Sequence, residues 1–158
     1  MGDERRKKKT AKSKVNKTEV VTHSATETIA LGRALAREFE PPCVVLLEGE
    51  LGSGKTTLTK GIVAGLGLAS EDEVTSPSFT LVHEYGTAKK AYHVDLYRVE
   101  TDQELSTLGL DEIFAQPAVV IIEWSEKLGD NVPSRCYRIR MEHVSSEERR
   151  IEVERPNV

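Results

Sequence analysis

The sequence predicts a single α/β domain in which a mixed central β-sheet is flanked by helices. Three adjoining stretches predict it. Residues 43–47 form a short apolar run of strand-forming residues, as buried parallel strands do. Residues 49–56 then read Gly-Glu-Leu-Gly-Ser-Gly-Lys-Thr, which is the phosphate-binding pattern G-x-x-x-x-G-K-[ST]. Leu58, Ile62 and Leu66 follow at four-residue spacing, which is typical of one face of a helix.

This strand, loop and helix indicate a P-loop NTPase domain, and the loop residues suit an anionic ligand. Glycines let the backbone approach phosphate oxygens, where successive N–H groups and the helix dipole favour negative charge. We expect Lys55 to reach the β- and γ-phosphates and the Thr56 hydroxyl to bind Mg²⁺. The expected nucleotide contacts are Glu50, Leu51, Gly52, Ser53, Gly54, Lys55, Thr56 and Thr57.

Charge divides the chain of 158 residues into two parts. Residues 1–17 carry a net charge of +6 and residues 18–158 carry −10. The first part has too few apolar residues to build a core, so we predict a disordered basic tail before a domain spanning 18–158.

No apolar stretch approaches the roughly 20 residues of a membrane span, and we expect a cytoplasmic protein. Cys43 and Cys136 read as small buried residues, reduced in a cytosol.

The flanking segments complete the predicted sheet. An edge strand is expected near 20–22, and a helix should begin at the capping box that opens with Ser24. Residues 79–85 and 91–97 predict a hairpin, and Thr101 opens a second capping box and a helix that includes Ile113. Residues 136–144 and 149–154 alternate apolar and polar, which predicts a terminal hairpin.

The most hydrophobic run, 118–124, predicts a buried strand that ends at Glu123. A carboxylate at the carboxyl end of such a strand is typical of a Walker B element, so Thr56 and Glu123 are the expected Mg²⁺ ligands. Trp124 follows, and it would pack on the base or ribose or else lie in the core. Asp95, at the end of another strand, is the candidate that positions or deprotonates a water, with a structural ion pair to Arg98 as the alternative.

ATP is the favoured nucleotide because the guanine-reading string Asn-Lys-x-Asp is absent downstream of the loop. The nearest string, Asn16 to Glu19, ends in Glu and lies beside the tail. The four histidines lack metal-site spacing, and we assign none of them a catalytic role.

Four motifs together resemble the TsaE family, the ATPase subunit of bacterial tRNA threonylcarbamoyladenosine synthesis. They are Gly49 to Thr57, Ser-Pro-Ser-Phe-Thr-Leu-Val from Ser76, His-Val-Asp-Leu-Tyr-Arg from His93, and Glu-Trp-Ser-Glu from Glu123. The resemblance covers about residues 20–155. The family often has Pro where this chain has Ser125.

The resemblance implies slow ATP hydrolysis, with Thr56 and Glu123 on Mg²⁺ and Asp95 near the γ-phosphate. It also implies that the loop from Ser76 to Thr80 is a switch. The implied partners are TsaB and TsaD, of which TsaD carries out the threonylcarbamoyl transfer, so that tRNA is involved only indirectly.

Two other functions share this cradle. One is a small-molecule kinase, although the absence of arginine between Thr56 and Arg98 argues against the lid such kinases use. The other is a nucleotide-binding regulatory module without turnover. The sequence shows no obvious arginine finger near the phosphates.

Overall fold

The computed structural model describes residues 16–77 and 80–157, within which strands and helices largely alternate. The strands are β1 (Lys17–Thr22), β2 (Cys43–Gly49), β3 (Val82–Gly86), β4 (Lys90–Asp95), β5 (Ala118–Glu123), β6 (Tyr137–His143) and β7 (Arg149–Glu154). The helices are α1 (Ala25–Ala36), α2 (Lys55–Gly65), α3 (Asp102–Ser106) and α4 (Leu110–Phe114), with short 3₁₀ turns at Glu71–Glu73 and Ser125–Leu128. Lys17, assigned above to the tail, begins β1, and the tail residues 1–15 lie outside the described residues.

The seven strands form one mixed sheet in the order β1-β7-β6-β2-β5-β4-β3, which confirms the predicted architecture. The four central strands β6, β2, β5 and β4 are parallel, and the pairs at both margins are antiparallel. The P-loop leaves the carboxyl end of β2, and the β6–β7 hairpin and the buried strands β2 and β5 appear as predicted. Asp95 and Glu123 are paired at the carboxyl ends of β4 and β5. The sheet therefore brings the loop and both predicted carboxylates to one edge.

Helices α1 and α2 cover one face of the sheet and pack unusually close together. A Cβ added at Gly61 would lie 2.1 Å from the Ile29 carbonyl oxygen, and one at Gly32 would lie 2.5 Å from the Leu58 carbonyl oxygen. Any larger residue at these two positions would force the helices apart. Helices α3 and α4 belong to a second apolar cluster on the opposite face. No helix in the described part of the chain is long and apolar enough to cross a membrane.

Four local predictions need correction. Thr101 caps a helix through the Glu104 N–H, at 3.1 Å, but that helix ends at Ser106, and a second begins only after Gly109, whose φ is +67°. The strand expected at 79–85 begins at Val82, and its predicted first residue Phe79 lies outside the described residues. The strand expected at 91–97 ends at 95. Cys43 and Cys136 are only half-buried, since both line a cavity at the amino end of β2.

Candidate nucleotide and metal site

The predicted phosphate-binding loop joins β2 to α2 through backbone that only glycine adopts easily. Gly52 and Gly54 have φ values of +82° and +102°, in the left-handed region. Gly54 is the N-cap of α2, and no side chain among the described residues caps it. The first N–H groups of any helix lack partners within it, so this helix presents them to an anion. Among the predicted loop contacts, Ser53 is buried whereas Leu51 is 75% exposed.

The Lys55 side chain is folded into the loop itself. Its Nζ donates to the carbonyl oxygens of Gly49, at 2.6 Å, and Glu50, at 2.9 Å. Burial lowers the pKa of Lys55, and the carboxylates of Glu123, Glu126 and Asp95 act in the opposite direction. The ammonium is therefore held inside the cradle by weak backbone acceptors, in the position where a phosphate would supply a stronger partner.

The two predicted metal ligands meet at the start of α2. The Thr56 hydroxyl donates to Glu123, with Oγ1 lying 3.1 Å from each carboxylate oxygen. These are hard oxygen donors of the kind Mg²⁺ prefers, and such sites usually leave other positions to phosphates and water. Within the described ranges, no group of three or more His, Cys, Asp or Glu side chains is placed to hold a metal alone. The pair thus fits a cation that arrives with a nucleotide.

Asp95 is buried beside this pair and fixed at both oxygens. Ser76 Oγ donates to Oδ2 at 2.7 Å, and the Tyr97 backbone N–H donates to Oδ1 at 2.9 Å. Only 7% of the residue is exposed. The carboxylate is thereby oriented by hydrogen bonds that use part of its accepting capacity, since a carboxylate can accept about four.

One cavity of about 460 Å³ joins these groups. Its lining includes Leu51, Gly52, Gly54, Lys55, Thr56, Thr57, Ser76, Asp95, Tyr97, Glu123, Trp124 and Arg149. The ring of Trp124 lies 4.3 Å from Lys55 Nζ and 5.0 Å from the Tyr97 ring, measured to ring centroids. Trp124 therefore contacts the loop lysine in addition to packing against apolar neighbours.

The predicted switch loop touches the site through Ser76. Thr80 is exposed, and its hydroxyl donates to the Val82 carbonyl, 3.3 Å away. Ser78 lies outside the described residues. The Asp95 N–H donates to the Leu81 carbonyl at 2.9 Å, so the end of the loop is tied directly to β4.

Sequence reasoning missed two residues near the site. His93 was set aside for want of metal-site spacing, yet its Nε2 contacts Glu123 Oε2 in the protein interior. Spacing along the chain could not find it, but the assignment of 93–95 and 121–123 to neighbouring strands could have done so.

The second missed residue is Arg149, which the sequence did not connect with the loop. Arg149 reaches the loop from the start of β7, and a Cβ added at Gly54 would lie 3.8 Å from its Nε. Its guanidinium donates to the backbone carbonyls of Ser145 and Glu148, both at 3.0 Å. It also lines a smaller cavity of about 250 Å³, together with Thr28 and Thr57. No sequence pattern signals a contact between residues so far apart in the chain.

Comparison with known proteins gives one consistent result. The family model for the threonylcarbamoyl adenosine biosynthesis protein TsaE matches residues 22–151. The Bacillus subtilis TsaE protein is 38% identical over 131 residues, which is 82% of this chain and 80% of that protein. The Treponema pallidum protein of the same name is 34% identical over 133 residues, 84% of this chain and 97% of that protein.

A solved structure agrees with these matches. The crystal structure of YdiB from Bacillus subtilis superposes with a TM-score of 0.72 and 32% sequence identity. The alignment covers 89% of this chain and 86% of that one. Residues 22–151, matched by the family model, include the loop, both buried carboxylates and the strands β2, β4 and β5 that carry them. The chain belongs to the TsaE family of tRNA threonylcarbamoyladenosine biosynthesis proteins.

Proposed function

We propose that this protein is a Mg²⁺-dependent ATPase that supports threonylcarbamoyl modification of tRNA together with a TsaB–TsaD complex. The observation that carries the proposal is the convergence of Lys55, the Thr56–Glu123 pair and Asp95 on one cavity at the carboxyl end of the parallel strands. A phosphate cradle, a pair of metal ligands and a group that can orient a nucleophile are the parts that phosphoryl transfer needs.

The nucleotide is proposed to lie with its terminal phosphates at Lys55 and its base toward Arg149. Lys55 can exchange its carbonyl partners for β- and γ-phosphate oxygens, which are stronger acceptors. Trp124 then neighbours the terminal phosphates, in place of the contact with base or ribose considered from the sequence. The smaller cavity beside Thr57 and Arg149 leaves room for the other end of the nucleotide. ATP is favoured over GTP because the string Asn16 to Glu19 lies at β1, the outermost strand of the sheet, away from the loop.

Hydrolysis in this arrangement needs a water held between Asp95 and the γ-phosphate. Bound Mg²⁺, held by Thr56 and Glu123, would supply positive charge to the phosphate oxygens. Asp95 accepts a proton from the water or orients it, and the Ser76 hydroxyl and Tyr97 N–H keep the carboxylate pointed at the cavity. Lys55 stabilises charge on the transferred group.

The partner complex is proposed to act through the loop that begins at Ser76. That loop touches the hydrolytic carboxylate at one end and is tied to β4 at the other. A partner that moves it would change the orientation of Asp95, and loss of the γ-phosphate would release it in turn. Low activity of the isolated protein and stimulation by partners follow from this coupling.

Steady-state phosphate release, measured with and without a TsaB–TsaD complex, tests the function. We expect the isolated protein to release phosphate slowly and only with Mg²⁺, and the complex to stimulate this release clearly. The matched Asp95→Asn variant should release almost no phosphate in either condition. Equal rates with confirmed partner binding would contradict the switch and favour a kinase. Bound nucleotide with no release in either condition would favour the regulatory module.

A further inference from the structure

A buried histidine lies behind the metal-binding carboxylate. His93 is in β4 and Glu123 ends β5, the neighbouring parallel strand. His93 is fully buried and Glu123 is 3% exposed. In the register Asp95 pairs with Glu123 and His93 pairs with Ile121, so His93 sits diagonally behind the carboxylate on the same face of the sheet. Its Nε2 contacts Glu123 Oε2.

His93 distinguishes the two carboxylate oxygens of Glu123, whereas Thr56 does not. The Thr56 hydroxyl is 3.1 Å from both carboxylate oxygens, so this hydroxyl does not select one of them. His93 contacts only Oε2. Because a carboxylate oxygen accepts and a ring N–H donates, the proton of this contact belongs to Nε2. Oε2 therefore has a hydrogen-bond partner in the protein interior, and Oε1 does not share this contact.

Core packing alone does not account for this residue. The other ring nitrogen, Nδ1, is buried and has no hydrogen-bond partner among the described residues. An orphaned polar atom in the interior costs stability, so an apolar residue would suit this position in a buried strand better. What the histidine adds is its single hydrogen bond to Glu123.

We infer that His93 is a positioning residue that holds the Glu123 carboxylate in the orientation required to bind the nucleotide's divalent cation. The inference rests on the proposed function and extends it to a residue behind the metal ligand. Groups that hydrogen-bond metal ligands commonly change metal affinity by about 10- to 100-fold when they are removed. His93 and Asp95, two residues apart on β4, then serve the metal ligand and the water respectively.

A matched pair of substitutions separates this role from packing. His93→Gln carries an amide nitrogen about as far along the side chain as Nε2, so it can still donate to Glu123. His93→Asn carries its amide nearer the backbone and cannot reach. The measurement is Mn²⁺ affinity of the folded protein with ADP, by electron paramagnetic resonance, alongside affinity for ADP in excess chelator by calorimetry. We expect His93→Asn to weaken Mn²⁺ binding about 10- to 100-fold. His93→Gln should stay within about threefold of the wild type, and metal-free ADP affinity should change by less than about twofold in both variants.

A double-mutant cycle with Glu123→Gln keeps the test decisive. If His93 acts through Glu123, then His93→Asn should have no further effect on Mn²⁺ affinity once the carboxylate is gone. Additive losses, or equal losses of metal and metal-free ADP affinity, would overturn the inference and leave His93 a structural residue. Unchanged Mn²⁺ affinity in His93→Asn would overturn it as well. Wild-type protein that binds ADP without any contribution from Mn²⁺ would overturn the proposed metal site itself, which is a different failure.

Discussion

Two cavities of similar size lie at opposite ends of the same parallel strands. The one at the carboxyl ends measures about 460 Å³ and contains the P-loop. The one at the amino ends measures about 570 Å³ and is lined by residues that include Pro41, Pro42, Cys43 and Cys136. The thiols of this larger cavity are unreactive. Burial raises the pKa of the Cys43 thiol to about 12, and burial also raises the pKa of Cys136. A thiol with so high a pKa is a poor nucleophile.

The two ends of the sheet differ in the hydrogen-bond donors and ionisable groups that face each cavity, rather than in cavity volume. At the carboxyl ends a helix begins at Gly54 and directs its N–H groups toward the cavity, and three ionisable side chains are buried within reach. At the amino ends two prolines contribute no N–H at all. A cavity becomes a candidate anion site when the backbone supplies donors to it, whatever its size.

Removing the carboxylate that we propose for hydrolysis should have the largest effect. Asp95→Asn keeps the shape of the side chain but cannot take a proton, so we expect ATP turnover to fall by about 10²–10⁴. Binding of ATP should persist, because the cradle is intact. Phosphate release and calorimetric ATP affinity, measured on one sample, check both parts. Turnover at the wild-type rate would make Asp95 a structural residue.

Lys55→Ala should have the next largest effect, and that effect should be on ATP binding. The substitution deletes the mobile cation, and charge-assisted hydrogen bonds are worth about 1.5–3 kcal/mol, or about 10- to 150-fold in affinity. The measurement is the dissociation constant for ATP, with circular dichroism to confirm folding. A folded variant that binds ATP as the wild type does would place the nucleotide elsewhere.

Ser76→Ala should have an intermediate effect on turnover, which should be clearest when partners stimulate the reaction. It removes the 2.7 Å hydrogen bond that orients Asp95, and a neutral hydrogen bond is worth about 0.5–1.5 kcal/mol. We expect stimulation by the TsaB–TsaD complex to fall about 2- to 12-fold while ATP affinity is kept. Thr80→Ala is the matched control, since among the described residues its hydroxyl bonds only the Val82 carbonyl. An equal loss in both variants would argue against a specific role for Ser76.

Arg149→Ala tests the cavity at the carboxyl ends where we propose that the nucleotide base lies. The guanidinium is half-buried and already bonded to backbone carbonyls, so its loss should weaken ATP binding by only about 2- to 12-fold. Because the proposed contact is to the far end of the nucleotide, inorganic triphosphate should bind both proteins equally. Equal weakening for triphosphate would move Arg149 to the phosphates.

At the opposite end, Cys136→Ser should leave ATP affinity within about twofold, because surface and half-buried substitutions away from a site are usually small in effect. The same calorimetric titration measures it. A strong loss of ATP affinity would mean that the two ends of the sheet are coupled, and that the cavity at the amino ends takes part in function.

Much of this site could be predicted because its residues are contiguous or end strongly apolar strands. The loop from Gly49 to Thr56 is one string of letters, and Glu123 follows the most hydrophobic run of the chain. The helix after Thr101 was predicted too long because Gly109 was not read as a break, although its left-handed backbone separates two short helices.

The residues that were missed depend on neighbours across strands. His93 matters because β4 lies beside β5 in a register that places it diagonally behind Glu123. Arg149 matters because the β6–β7 hairpin ends beside Gly54. Neither contact joins residues at a fixed separation in the sequence, so no sequence pattern predicts either of them. Pairing of strands is set by the packing of the whole sheet, and the side-chain contacts follow from it.

The tryptophan beside the loop has a practical consequence. Trp124 is the one tryptophan of the chain, and its ring lies 4.3 Å from the Lys55 ammonium. A cation held at this distance interacts with the indole π-electrons, so its departure alters the emission of the ring. When a phosphate draws Lys55 away from its carbonyl partners, the intrinsic fluorescence of the unlabelled protein should change. The protein thus carries its own optical probe, through which occupancy of the loop can be followed in real time as partners assemble.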